Sequence, residues 1–269
     1  MESGPEFLGS MWVRMAWISS IGRYGVDSVA RYGRVLLMLV DTVRCTPQRP
    51  LRFHLFLHQC LHVGVYSVPV VLVTGAFTGA VLALQTASAF RLFGAENLVA
   101  TVVALSMTRE LGPVLTGIMV AGRVGSAMAA ELGTMRVTEQ IDALHTLATN
   151  PVKYLIVPRV WAATVMLPCL VIFSDLLGIM AGRFIMVDVL GNSPVAYYKR
   201  TVQFLDFEDI QIGLIKAALF GLSLALIGCY QGYSVRGGAR EVGFAVNRAV
   251  VSSIGMIFVI NYLVTAYFF

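Results

Sequence analysis

Charge is scarce in this chain. Asp, Glu, Lys and Arg make up 13% of its 269 residues, while hydrophobic residues make up 57%. A soluble domain carries about 25% charged residues, so an ordinary soluble fold and a disordered chain are both excluded. Cysteine is scarce too. Cys45, Cys60, Cys169 and Cys229 stand far apart and form no C-x-x-C, so there is neither a disulfide framework nor a zinc knuckle. They read as small apolar packing residues. No paired catalytic carboxylates and no nucleophile with an orienting base stand out, which argues against an enzyme. Gly117-x4-Gly122-Arg123 echoes a phosphate loop but lacks the Lys-Ser/Thr ending and a preceding strand, so no ATP hydrolysis is expected on this chain. His54, His58 and His62 share one helical face, yet only Cys60, on another face, lies near them. They read as part of an interfacial helix rather than a metal site.

What the sequence has is long apolar runs. Hydropathy predicts five spans: about Val63 to Ala89, Leu98 to Gly122, Leu155 to Val187, Ile212 to Tyr233, and Val246 to Phe269. The expected fold is therefore an all-α polytopic membrane protein. Gly75/Gly79, Gly178/Gly182 and Gly228/Gly232 repeat a small-xxx-small spacing that signals close helix packing. Pro158 and Pro168 lie in the long third span.

The first ten residues, MESGPEFLGS, resemble a protease-site and cloning-linker remnant, with a natural start expected at Met11 and no signal peptide. Residues 11–50 read as N-terminal interfacial amphipathic helices. Arginines at 14, 23, 31, 34 and 44 are interleaved with apolar residues, and a break is expected near Gly22 and Gly25.

Basic residues orient the chain. Seven precede the first span, from Arg14 to Arg52. Arg123, Arg136, Lys153 and Arg159 follow the second, and Arg236, Arg240 and Arg248 surround the fourth-to-fifth loop. Only Arg91, Arg183, Lys199 and Arg200 fall on the other side. The expected N-terminus is cytoplasmic and the C-terminus external. The net charge of +5 thus reflects topology and lipid headgroups rather than nucleic acid.

Against this apolar background, Arg109 and Glu110 sit in the middle of the second span, LVATVVALSMTRELGPVLTGIMVAG. A charge at a helix centre costs roughly 2.5–3.5 kcal/mol on insertion scales and normally faces a bundle interior or a water-filled cavity. Either the pair only locks helices together, or it helps bind something polar within the membrane. Pro113 cannot donate to the carbonyl of Arg109, so the span should kink there and free that carbonyl. Lys216 of the fourth span is available to neutralise Glu110, and the Arg109 fork suits a phosphate. The segment between the second and third spans, Arg123 to Pro158, is charged yet helical in character. Glu131, Arg136, Glu139 and Asp142 punctuate it, and Asn150-Pro151 marks a turn.

The stretch RELGPVLTGIMVAGRVGSAMAAELGTMRVTEQIDALHTLATNPVKYLIVPR closely resembles the signature of the MlaE family, the lipid permeases of ABC systems that work with MCE proteins. The resemblance runs from about residue 50 to the end, so residues 51–269 are expected to form one permease domain. It implies a homodimer of five-span subunits in the bacterial inner membrane, with the C-terminus periplasmic. It also implies a cytoplasmic ABC ATPase that carries the ATP, docked through a coupling helix around Glu131–Leu147 that includes Arg136, Glu139 and Asp142. A periplasmic MCE-domain protein and, in some systems, a small cytoplasmic accessory subunit complete the implied partners. The implied cargo is phospholipid or a similar amphiphile, and the implied pocket holds Arg109, Glu110 and Lys216. The family often has an acid where this chain has Asn261, which leaves Asn261 to hydrogen-bond a headgroup. An ion-coupled secondary transporter is the alternative, although no inverted repeat is visible.

Overall fold

The structure is a computed structural model that describes residue 30 and residues 33–46 and 53–268. The described residues are almost wholly helical and contain no strand. Helix α1 covers residues 33–45. It is followed by α2 (Phe53–Val63), α3 (Val68–Arg91), α4 (Val99–Ser106), α5 (Gly112–Val120), α6 (Ser126–Val137) and α7 (Gln140–Thr146). After these come α8 (Val157–Phe184), α9 (Pro194–Phe204), α10 (Phe207–Tyr233) and α11 (Ala239–Phe268). Five helical segments are long and apolar enough to cross a membrane: Phe53–Arg91, Glu96–Val137, Val152–Val189, Phe207–Tyr233 and Ala239–Phe268.

α10 is the central helix. Its apolar residues are buried along most of its length, and it packs against α5, α6, α8 and α11. α3 lies along α8, and the glycine spacing read from the sequence makes that contact possible. A side chain at Gly79 would overlap the carbonyl of Gly178, and one at Gly75 would meet Ser174. The two backbones therefore touch with nothing between them, the way helices associate when no hydrophobic drive distinguishes lipid from protein. Gly79→Val is expected to push α3 off α8 and cost about 1–3 kcal/mol. Thermal unfolding in detergent micelles checks this, and an unchanged midpoint would contradict the contact.

The second segment differs from its expected length. Gly122 was to end it, but the helix continues through a π-helical turn, Ala121–Gly125, into α6. The 42 residues of Glu96–Val137 rise about 63 Å, roughly twice a bilayer's hydrocarbon thickness. Arg123 does not stop the helix because the bundle satisfies it. Its Nη1 donates to Ser67 Oγ (2.6 Å) and to the His62 carbonyl (3.2 Å), and its guanidinium stacks over Tyr66. Glu131 is likewise held, by Arg159 Nη2 at 2.9 Å.

The expected coupling helix is also two pieces rather than one. α6 ends at Val137, Glu139 adopts a left-handed backbone (φ 59°), and α7 follows as a two-turn stub. Ile141 anchors the stub in the core, while Asp142, His145 and Leu147 are exposed. Arg136 Nη1 donates to Asp142 Oδ1 at 2.6 Å and braces the bend. At the start of the third segment, Asn150 Oδ1 accepts from the Val152 amide (2.9 Å), the side-chain turn that an Asn-Pro pair favours.

Of the N-terminal region, α1 is strapped onto the bundle end that carries α7. Arg34 Nε donates to the Tyr230 hydroxyl (2.8 Å), and Trp161 Nε1 donates to Thr46 Oγ1 (2.9 Å). Its Leu36, Leu37, Val40 and Val43 stay exposed. Residues 1–10 and the expected break at Gly22 and Gly25 lie outside the described residues. At the opposite end, α9 connects α8 to α10 in the chain and packs against α4. Its Tyr197 is buried and donates to the Ile179 carbonyl (3.3 Å). Burial pushes this phenol up to about 12, against the opposing pull of Arg183, so it remains a neutral donor at any physiological pH.

Candidate functional site

The intramembrane charges converge where α10 and α11 face the second segment, in the half of the bundle toward α9. Pro113 has no N–H to give, and the chain answers with a π-helical turn, Met107–Leu111, closed by the Gly112 amide donating to the Met107 carbonyl. This turn presents Arg109 and Glu110, and it leaves the Arg109 carbonyl for an outside donor.

That donor is Lys216. Its ammonium is 0% exposed and uses all three N–H bonds: on the Arg109 carbonyl (3.0 Å), on Glu110 Oε1 (2.7 Å) and on Thr265 Oγ1 (2.8 Å). A lysine has three donors and no acceptor, so every one is matched. Thr265 in turn donates to Glu110 Oε1 (3.0 Å), and Asn261 Nδ2 donates to Glu110 Oε2 (2.8 Å). Glu110 is thus gripped by two helices, yet its side chain keeps 37% exposure. Asn261 Oδ1 is buried with no hydrogen-bond partner among the described residues. An amide can donate to an ionised Glu110, whereas an ionised acid at position 261 could only repel it.

Arg109 turns the other way, as adjacent helical residues must. Its Nε (2.6 Å) and Nη2 (2.5 Å) both reach Asp209 Oδ1. Asp209 is nearly sealed, with a side-chain exposure of 3%, and its Oδ2 accepts from the Asp206 amide in the capping box that starts α10. Arg109 itself is 33% exposed. A buried carboxylate therefore fixes the position of a partly exposed guanidinium. Gly213 lets α10 come this close, since a side chain there would strike the Thr108 carbonyl.

Of the residues anticipated from sequence, the structure brings Arg109, Glu110, Lys216 and Asn261 into one place. Glu131, Arg136, Glu139 and Asp142 lie at the other end of the bundle, around the α6–α7 bend. Asp209 and Thr265 complete the network and were not anticipated. Thr265 is four residues after Asn261 and so on its face, a spacing that could have pointed to it. Asp175 was also missed. It sits in α8 against Gly112, where any side chain would collide with it, and its Oδ1 is buried without a partner among the described residues.

Comparison with known proteins places this architecture. The profile of the family described as Permease MlaE matches residues 56–267. A "Probable ABC transporter permease protein" of Rickettsia bellii is 46% identical over 97% of this chain and 96% of its own length. The "Intermembrane phospholipid transport system permease protein MlaE" of Haemophilus influenzae is 34% identical over 94% of this chain and 97% of its own. The Arabidopsis thaliana chloroplast protein TRIGALACTOSYLDIACYLGLYCEROL 1 is 38% identical over 79% of this chain and 61% of its own. With five apolar helices joined by such a network, and a family match across nearly the whole described bundle, the chain belongs to the MlaE family of ABC transporter permeases.

Proposed function

We propose that this chain is the membrane subunit of a lipid-moving ABC transporter of the bacterial inner membrane, acting as a homodimer with its N-terminus cytoplasmic and its C-terminus periplasmic. Phospholipid or a similar amphiphile is the cargo. A separate cytoplasmic ATPase supplies the energy, and a periplasmic MCE-domain protein exchanges lipid with the permease. The observation that carries this reading is the partial exposure of Arg109 and Glu110 at the depth of a membrane span. Charged groups are too costly to leave against lipid tails, so their exposed parts face a second copy, water, a polar headgroup or another part of this chain. A guanidinium fork matches a phosphate. The name of the Haemophilus relative supports phospholipid as the class.

The α6–α7 bend is the coupling element in this reading. It is anchored by Ile141, braced by Arg136 and Asp142, and exposed beyond. Like charges set opposite one another across an interface cost several kcal/mol. Reversing Asp142 or Glu139 to Lys is therefore expected to lower lipid-stimulated ATPase activity of the reconstituted complex about tenfold, with membrane insertion unchanged. Asp142→Asn, which removes the Arg136 bridge without reversing charge, should have the smaller effect. Normal complex assembly and normal coupled activity in both reversals would refute the assignment.

A further inference from the structure

The end of the bundle that carries α9 has a basic, apolar face that the charge network does not use. Val195, Tyr198 and Val202 recur at i, i+3 and i+7 on the exposed side of α9, and Lys199 borders them. α9 has no acidic residue. The helix does not stand clear of the membrane. Tyr197, on its buried side, reaches back to the Ile179 carbonyl, and its hydroxyl lies 3.1 Å from where a side chain on Gly182 would begin. Ile179 precedes Val189, the last residue of the third segment, by about 15 Å of helix. α9 also packs against α4 of the second segment. It therefore lies beside the last turns of two membrane-spanning segments, at the level where hydrocarbon meets headgroups.

Arg183 adds a second observation, independent of α9's own sequence. It is exposed on the third segment, between Met180 and Phe184, which are exposed too. It makes no hydrogen bond or ion pair among the described residues. Its pull on the Tyr197 phenol places it beside α9. Asp188, the next acid along the chain, is exposed and not bonded to it.

We infer that α9 is an interfacial helix seated in the leaflet at its own end of the bundle, with Val195, Tyr198 and Val202 at the boundary of acyl chains and headgroups and Arg183 and Lys199 on the phosphates of anionic phospholipid. A guanidinium among lipid-facing side chains, less than two turns from the end of a span, has the leaflet's phosphates as its counter-charge. Its long stem lets the head reach them. Tyrosine suits this level of a membrane, where its ring sits apolar and its hydroxyl stays wet. Three large apolar side chains set together are a patch that water disfavours, and a helix whose charges are all basic fits a surface of phosphates. Arg200 is engaged on its own helix, stacked over the Phe204 ring. Only Leu205 and Asp206 separate α9 from α10, so the leaflet that holds α9 lies one short connection from the capping box behind Arg109.

Fluorescence quenching tests this without any transport readout, so it stands or falls separately from the proposed function. The full-length protein carries a dansyl amino acid at Val202, in vesicles of phosphatidylcholine and phosphatidylglycerol. A nitroxide high on the acyl chain of one lipid or the other quenches from the membrane, and acrylamide quenches from the water. The lipid nitroxides should quench and acrylamide should not. Phosphatidylglycerol should be in about fivefold local excess over phosphatidylcholine, the equivalent of about 1 kcal/mol. The same probe at Phe77, exposed on α3, reports the surrounding lipid and should show no excess. Arg183→Gln combined with Lys199→Gln, both at exposed positions, should remove the excess and leave the quenching. Quenching by acrylamide alone would mean that α9 faces water. Quenching by neither would mean that protein covers the face. Equal quenching by the two lipids, or an excess that survives the double substitution, would mean that the basic residues do not recognise the headgroup. Each of these results overturns the inference.

Discussion

Replacing Lys216 with methionine is expected to destabilise the bundle by about 3–5 kcal/mol, the usual cost of removing one partner from a buried ion pair. The methionine fills much of the same volume, so the loss is electrostatic rather than a cavity. It leaves Glu110 without its cation and the Arg109 carbonyl without a donor, because one ammonium serves both. A drop in unfolding temperature of roughly 10 °C should follow for a chain of this size. Adding Glu110→Gln should return part of the stability, since a neutral amide has no charge to compensate and can still accept from Asn261. The Arg109 carbonyl would remain without its donor, leaving about 1–3 kcal/mol unrecovered. A single variant as stable as the parent would show that the network does not hold α10 and α11 to the second segment.

Much of this site was legible in the sequence because charge contrasts sharply with an apolar span. Arg109, Glu110 and Lys216 stand out by hydropathy alone, and Pro113 foretold that the Arg109 carbonyl would need a partner. Its partner proved to be the same lysine that neutralises Glu110. Asp209 was not legible, since an acid in the first turn of a helix is ordinary capping chemistry. Only the fold shows that its free edge meets an arginine one hundred residues away in sequence. Thr265 escaped because a hydroxyl barely alters hydropathy.

The overall fold was legible to the same depth and failed for the same reason. Each span is legible by hydropathy, but the second is expected to end at Gly122, just before Arg123. Arg123 and Glu131 instead have partners inside the bundle, so the helix runs on to Val137. The break at Glu139 carries no glycine or asparagine to announce a left-handed residue. The turn at Asn150-Pro151 carries both of its signals and was placed correctly.

Arg109 has two roles that one substitution cannot separate. Arg109→Ala removes a partly exposed guanidinium and also leaves Asp209, 3% exposed, as a buried carboxylate without its cation. The single variant should therefore lose about 3–5 kcal/mol of stability and weaken lipid capture about ten- to a hundredfold, since a charge-assisted contact to phosphate contributes roughly 1.5–3 kcal/mol. Arg109→Ala combined with Asp209→Asn removes the stranded charge while keeping an acceptor for the Asp206 amide. That double variant should regain most of its thermal stability but none of its lipid capture, measured by photocrosslinking of labelled phospholipid from a probe at position 110. If capture returns together with stability, Arg109 only fastens α10 to the π-helical turn, and the headgroup is bound elsewhere. If stability returns alone, Asp209 is the positioning residue and Arg109 the one that meets the phosphate. The geometry favours the second outcome, because a carboxylate sealed on α10 is what fixes a partly exposed guanidinium at this depth in the membrane.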